Sequence, residues 1–338
     1  LSDQLFKRLA AFTDIHFGNK HNSRLHNADC EEFVLWFIDE AKKRNCDTCI
    51  FLGDWHHHRA AVNVSTMNYT VSNIGFLNDA FEKVYIITGN HDLFYREKRE
   101  IHSLVMGKNF ENVVLVDEPV IDGDVAIVPW LIEDEWKKVK KIKTKYMFGH
   151  FEIPGFKMNA QIEMPDHGAI NKRHFEHQDL VFSGHFHKRQ NDGHIHYIGN
   201  PFGHNFADAW DFNRGAMFLE WDKEPEYVNY PHGPRYITCY LSELLDNTED
   251  YLKPKTYVRV TLDSNISYEE INFLRETLIE NYEIRDLKLI YDRTVEEDIE
   301  FEGEITFQTV DQIVTEQLSN LDLGTYDRKK LVEIYNNL

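Results

Sequence analysis

The chain is poor in cysteine. It has four (Cys30, Cys46, Cys49 and Cys239), and the gaps between them match no zinc-binding or disulfide pattern. That excludes a disulfide scaffold and a structural zinc module, and points to a reducing, cytoplasmic setting. Long apolar runs are also missing. No stretch reaches bilayer-spanning length, and the opening "LSDQLFKRLAAF" lacks the extended apolar core of a signal peptide, so no membrane association is expected. Proline and glycine are sparse (9 and 17 of 338 residues), and there is no internal repeat or low-complexity tract, which excludes fibrous and broadly disordered classes. Basic charge is in deficit, with 37 Lys and Arg against 57 Asp and Glu, a net charge of −20. Such a balance speaks against a protein that coats nucleic acid. The deficit is uneven, however: residues 241–338 hold 23 acidic against 10 basic side chains. Bound divalent cations would offset part of what remains, so a nucleic-acid partner is weakened as a reading and not excluded.

Short β-like runs fill the first two-thirds: "RLAAFTD", "DTCIFLGD", "VYIITGN", "VAIVPW", "KYMFGH" and "DLVFSGH". Amphipathic helix patterns such as "CEEFVLWFIDEAKKRN" and "STMNYTVSNIGFLNDAF" lie between them. This is an α/β layout. Asp14, Asp54, Asn90, His150 and His185 stand at or just past the ends of such runs, at the sheet edge where open α/β folds bind ligands.

Five segments there offer oxygen or imidazole donors: Asp14-Ile15-His16, Gly53-Asp54, Gly89-Asn90-His91-Asp92, Gly149-His150, and Gly184-His185-Phe186-His187. Taken singly, Asp-x-His caps a turn, Gly-Asp is a common turn, and Gly-His says little. Five in one chain, all at strand ends, are hard to reconcile with turns alone. Such a set suits two divalent cations about 3.5–4 Å apart, the arrangement that clamps an in-line phosphoryl displacement. Asp54 is the expected bridge, because a carboxylate has two oxygens and a charge with which to hold two cations close. Mixed imidazole and carboxylate donors favour Mn, Fe or Zn over Mg. His185 and His187 leave their strand on a turn, so each can serve a different ion.

The ordered motifs "DIH", "GD", "GNHD", "GH" and "GHFH" resemble those of calcineurin-like metallophosphoesterases. With "GDWHHHRAAVN", "ITGNHDLFYREK", "GHFEIPGF", "VFSGHFHKRQ" and "IHYIGNPFGHNF", the chain is similar to SbcD-type DNA repair nucleases, and most to the recombination nuclease subunits of tailed phages. The resemblance implies a metallophosphoesterase β-sandwich flanked by helices, with a small α/β cap and a C-terminal helical tail. It assigns Asp14, His16, Asp54 and His187 to one metal ion and Asp54, Asn90, His150 and His185 to the other, with Mn as the expected metal. His91 would act on the leaving oxygen, with Asp92 orienting its ring. His57 stands where the family often has a second histidine, and its neighbours His56 and His58 are expected to be exposed and solvated. The implied activity is Mn-dependent exonuclease and endonuclease hydrolysis of DNA in recombination and break repair. The implied assembly is a homodimer joined to a coiled-coil ABC-type ATPase of the SbcC kind. A phosphatase or cyclic-nucleotide phosphodiesterase with the same ions, or a DNA-end-binding scaffold that cuts little, are the competing readings.

The expected organisation is a nuclease domain over 1–239, a cap over 240–295, and an acidic linker with a helix pair over 296–338. In the cap, "TYVRVTL", "SYEEINFLRETLIENY" and "RDLKLIYD" read as strand, helix, strand. "EWKKVKKIKTK", Glu135 to Lys145, is the most basic stretch and reads as a surface helix, either a solvated face or a contact for DNA phosphates. The closing helices, near 309–320 and 326–337, either pack on their own domain or dock the ATPase.

Overall fold

The computed structural model describes residues 4–158, 162–264 and 266–291. The expected acidic linker and closing helix pair, over 296–338, lie outside the described residues.

Two six-stranded sheets face each other. The first runs β14 (Glu226–Asn229), β13 (Gly215–Glu220), β1 (Arg8–Phe12), β2 (Thr48–Phe51), β3 (Lys83–Ile87), β6 (Val113–Val116). The second runs β11 (Gln190–Asp192), β12 (Ile195–Tyr197), β10 (Leu180–Gly184), β9 (Tyr146–His150), β8 (Val125–Val128), β7 (Val120–Asp122). The strands β1, β2, β3 and β6 are mutually parallel, as are β8, β9, β10 and β12; antiparallel strands close both edges of the second sheet and the β14 edge of the first, whose other edge is the parallel strand β6. Parallel strands need both faces covered, which explains why these runs read as nearly unbroken apolar stretches.

Alternation along each strand feeds two cores. Ala10, Phe12, Cys49 and Phe51 point to the helical layer, where Phe33, Phe37, Trp55 and Ile74 pack. Leu9, Ala11, Ile50 and Leu52 point inward and meet Phe148 and Phe182 of the second sheet. The helix Arg24–Lys43 buries Cys30, Phe33, Val34, Phe37, Ile38 and Ala41, spaced three and four apart. It starts ahead of the apolar pattern because Ser23 accepts a hydrogen bond from the His26 amide and caps it. Asn63 caps the second helix, Val64–Ala80, in the same way.

The basic stretch Glu135–Lys145 corrects the surface-helix expectation. Only Trp136–Val139 is helical, because Val139 is buried and the chain must turn back to enter β9. Clustered lysines repel on a helix and add no support.

A third sheet pairs β15 (Arg235–Tyr240), β16 (Thr256–Leu262) and β17 (Asp286–Tyr291) in parallel, with the helix Tyr268–Tyr282 between the last two. The expected boundary at 239/240 falls inside β15. Buried Asp29 ties this unit to the long first helix through Lys255 (2.9 Å) and Arg285 (3.0 Å). All four cysteines are free, and burial raises each thiol, Cys46 to about 12 and Cys239 to about 11, so none is a ready nucleophile.

Candidate metal centre

The loops that follow β1, β2, β3, β9 and β10 converge at one end of the sandwich. Beyond the strands the first two loops keep pairing: the Asp14 amide donates to Gly53 O (2.9 Å), His16 to Asp54 O (3.2 Å) and Phe17 to Trp55 O (2.7 Å). The His185 amide donates to Asp14 Oδ2 (3.0 Å) and joins the two sheets. Asp14, His16, Asp54 and His185 all have positive φ, between 51° and 88°, a region that side chains other than Gly seldom adopt. Backbone strain of this kind persists where surrounding contacts impose it, and it concentrates at functional sites. The glycines before Asp54 and before Asn90 each have a steric cause. A Cβ at Gly53 would stand 2.5 Å from His150 Nδ1, and one at Gly89 would stand 2.9 Å from Asp54 Cγ and nearer still to its Oδ1.

All seven expected metal ligands meet there. Asp54 Oδ2 lies 3.8 Å from His16 Nε2 on one side and 3.5 Å from His150 Nε2 on the other. Asp14, His16 and Asp54 can each turn one donor atom to a common point, and so can Asp54, His150 and His185. His187 Nε2 sits 3.2 Å from His16 Nε2 and 3.9 Å from Asp14 Oδ1. Asn90 Oδ1 is 3.0 Å from both His150 Nε2 and His185 Nδ1. One carboxylate thus stands between two donor clusters.

Neighbours fix which ring nitrogen faces the centre. His150 Nδ1 donates to Leu52 O (2.7 Å), leaving Nε2 inward. His185 turns Nε2 to Glu152 Oε1 (3.3 Å), leaving Nδ1 for the centre. Such outer partners orient ligands and raise their basicity. His91 donates Nδ1–H to His57 O (2.8 Å), and its amide donates to Asp54 Oδ1 (2.8 Å), so its Nε2 is left to act on a substrate.

Electrostatics divides the acids. Burial and then Asp54 push Asp14 up to about 7. Asp54 itself is held well below the carboxylate range, because against its burial it faces His150 and His16. His150 is correspondingly raised to about 9 by Asp54, again against burial. Burial drives His16 well down, His187 to about 4 and His57 to about 4, so these imidazoles are neutral with lone pairs available. Neutral imidazoles around a buried, ionised carboxylate are what a divalent cation requires, and the donor set fits two.

Two expectations need correction. Asp92 does not orient His91. Its oxygens accept from the amides of Asp54 (3.0 Å), Trp55 (3.3 Å), His56 (3.0 Å) and Gly89 (2.9 Å), which clamps the β2 and β3 loops together. His56 is not solvated either. It is 1% exposed, bonded to Ser103 Oγ (2.7 Å) and Thr70 Oγ1 (2.9 Å), because a buried imidazole must pair both nitrogens. His58 is exposed as expected. His57 does reach the site, its ring stacked 5.6 Å from that of His91.

Three residues at the centre escaped the motif reading. Glu152 holds His185, Trp130 lies 5.0 Å from the His185 ring, and His204 packs its ring against both His16 and His187. Signals existed: Glu152 follows a ligand by two residues, Trp130 closes the run "VAIVPW", and His204 sits in a further Gly-His pair.

Residues 7–189 match the family model for calcineurin-like phosphoesterases. Over 340 aligned positions the chain is 27% identical to "Exonuclease subunit 1" of Enterobacteria phage T4, covering 96% of each chain. Among solved structures, nuclease MPE of Pseudomonas putida aligns at a TM-score of 0.30 and 19% identity, over 56% of this chain and 66% of its own. A dimetal phosphatase from Danio rerio aligns at 0.42 and 9% identity, over 66% of this chain and 98% of its own.

Proposed function

Because the chain belongs to the calcineurin-like phosphoesterase family, we propose that it is the nuclease subunit of a DNA-processing complex, hydrolysing phosphodiester bonds at the Asp54 centre. The observation that carries the reading is the position of Asp54 between two donor clusters, each competent for one divalent ion. Asp14, His16, Asp54 and His187 would hold one ion, and Asp54, Asn90, His150 and His185 the other, with Mn suited to the mixed oxygen and nitrogen donors. Bound ions supply positive charge to the phosphoryl oxygens and acidify water.

The chain's own residues do the rest. His91, anchored through Nδ1–H to His57 O, presents Nε2 to the leaving oxygen; carrying a second proton on Nε2, it passes that proton to the oxygen as water adds to phosphorus and the P–O bond breaks. The stacked His57 ring and the hydrogen bond that the His91 amide donates to Asp54 Oδ1 keep His91 from turning away. Asp92 keeps the two loops in register. Arg59, half-buried and two residues past His57 in the same loop, would supply positive charge for an anionic substrate.

Full-length similarity to a phage exonuclease subunit favours DNA over a small phosphomonoester. It also supports work within an assembly, for which a coiled-coil ABC-type ATPase and a second copy of this chain are the proposed partners, in recombination and break repair. The test is digestion of labelled duplex DNA with Mn²⁺ and with Mg²⁺, run beside a phosphomonoester. Rapid phosphomonoester turnover with intact DNA would overturn the nuclease reading.

A further inference from the structure

We infer that His204 is an additional protein ligand on the Asp14 side of the centre, forming a three-imidazole set with His16 and His187. The inference rests on the two-cation reading above and extends the donor set that the motifs define.

The His204 ring is 3% exposed, and its centroid lies 5.4 Å from that of His16 and 5.2 Å from that of His187. One ring nitrogen from each of the three falls within 4.8 Å of the others. Neither nitrogen of His204 has a hydrogen-bond partner among the described residues. Burying an imidazole with both nitrogens unpaired is unfavourable, so its retention points to a partner of another kind. The remaining neighbours do not provide one. Phe202, at 5.5 Å, is apolar, and His26, at 5.6 Å, already directs Nε2 to His16 O (3.0 Å).

The backbone around His204 is built to hold it there. Arg214, itself 3% exposed, donates Nη1 to His187 O (2.9 Å) and Nη2 to Asp208 Oδ1 (3.0 Å). Asp208 Oδ2 in turn accepts from the His204 amide (2.8 Å). A single buried ion pair therefore sets the spacing of the His187 and His204 backbones. Such pairs add little net stability and are better understood as positioning devices. A shell of three imidazoles with Asp14 and Asp54 is rich in nitrogen, which favours Mn, Fe or Zn at this position over Mg.

The experiment uses the full chain, stripped with a chelator and titrated calorimetrically with Mn²⁺, as wild type, His204→Gln and His204→Leu. Two ions should bind wild type. In both variants one of the two should bind about 10–100-fold more weakly, the loss typical of removing a supporting group at a metal site, while the other is unchanged. The metal-free melting temperature of His204→Leu should hold or rise, because unpaired buried nitrogens are gone, whereas the Mn²⁺-induced rise should shrink. If leucine prevents folding, glutamine carries the test, since it keeps a polar group but lacks the ring nitrogens. Variants that bind both ions as wild type does, with an intact Mn²⁺-induced rise, overturn the inference alone. A wild-type chain that takes up no ion overturns the two-cation reading and the inference together. A single ion, weakened in both variants, overturns the two-cation reading and keeps His204 as a ligand.

Discussion

Gly89→Ala tests the steric logic of the centre, because the added methyl brings no chemistry of its own and acts only by crowding Asp54. It would lie 2.9 Å from Asp54 Cγ, and closer to Asp54 N and Oδ1, where ordinary contact begins at 3.4 Å. Relief demands a shift of roughly 1 Å by Asp54 or by the Gly89 loop, and each is tethered. The Asp54 and Gly89 amides both donate to Asp92 Oδ2 (3.0 and 2.9 Å), and Asp54 Oδ1 accepts from the His91 amide (2.8 Å). Overpacking of this kind costs about 1–3 kcal/mol of stability. A displacement near 1 Å at a reacting centre costs on the order of 10²-fold in rate. The variant should therefore fold and melt somewhat earlier, bind Mn²⁺ more weakly, and cut duplex DNA about a hundredfold more slowly. Gly75→Ala is the control: its Cβ would meet Phe110 Cε1 at 3.6 Å, within a helix, so it should leave activity unchanged and gain up to about 1 kcal/mol. Wild-type Mn²⁺ affinity and turnover in Gly89→Ala would refute the claim that close loop approach fixes the Asp54 bridge.

Other outcomes follow from the same contacts. Asp54→Asn should abolish hydrolysis and reduce the bound Mn²⁺ found by elemental analysis, since the amide loses the charge and one oxygen donor shared by both clusters. His91→Ala should lower turnover by roughly 10²–10⁴ while Mn²⁺ stoichiometry stays at the wild-type value; near-normal turnover would remove His91 from the mechanism. Asp92→Ala strands four amide donors and should cost about 3 kcal/mol or more in chemical denaturation, a loss too large for a residue that merely aims a ring. Cation uptake must displace protons held by Asp14, at about 7, and His150, at about 9, so Mn²⁺ affinity should climb as pH rises through that window, with proton release visible in calorimetry across buffers. In the metal-free chain the sign reverses. The raised His150 pKa contributes stability that is fully present below its unfolded value of 6.5 and is lost as pH rises through about 9. A flat Mn²⁺ affinity from pH 6 to 9 would exclude this coupling.

The sequence by itself determined the α/β class and the places where donors collect. Buried parallel strands must be short and apolar, so their ends are visible as abrupt changes to Gly followed by Asp, Asn or His. Local order also fixed the two long helices and the strand–helix–strand of the third sheet, since these depend on periodicity and caps within a few residues. What each donor does was decided only by tertiary structure. Asp92 stands beside His91 in the chain, yet its oxygens bind amides that lie up to 38 residues away, so adjacency suggested a role that distance along the chain overrode. His56, in a run of three histidines, is buried against Thr70 of the helix Val64–Ala80 and against Ser103, which follows a two-stranded hairpin of Leu93–Tyr95 and Lys98–His102, and its chain neighbours reveal neither. Asp14, His16, Asp54 and His185 all adopt positive φ, which Asp and His tolerate better than most side chains, but residue type alone does not mark which of the chain's many Asp and His residues do so. His204 had no strand end to mark it. It enters the centre because Arg214 and Asp208 fold its backbone against that of His187, a contact that exists only once both sheets are in place.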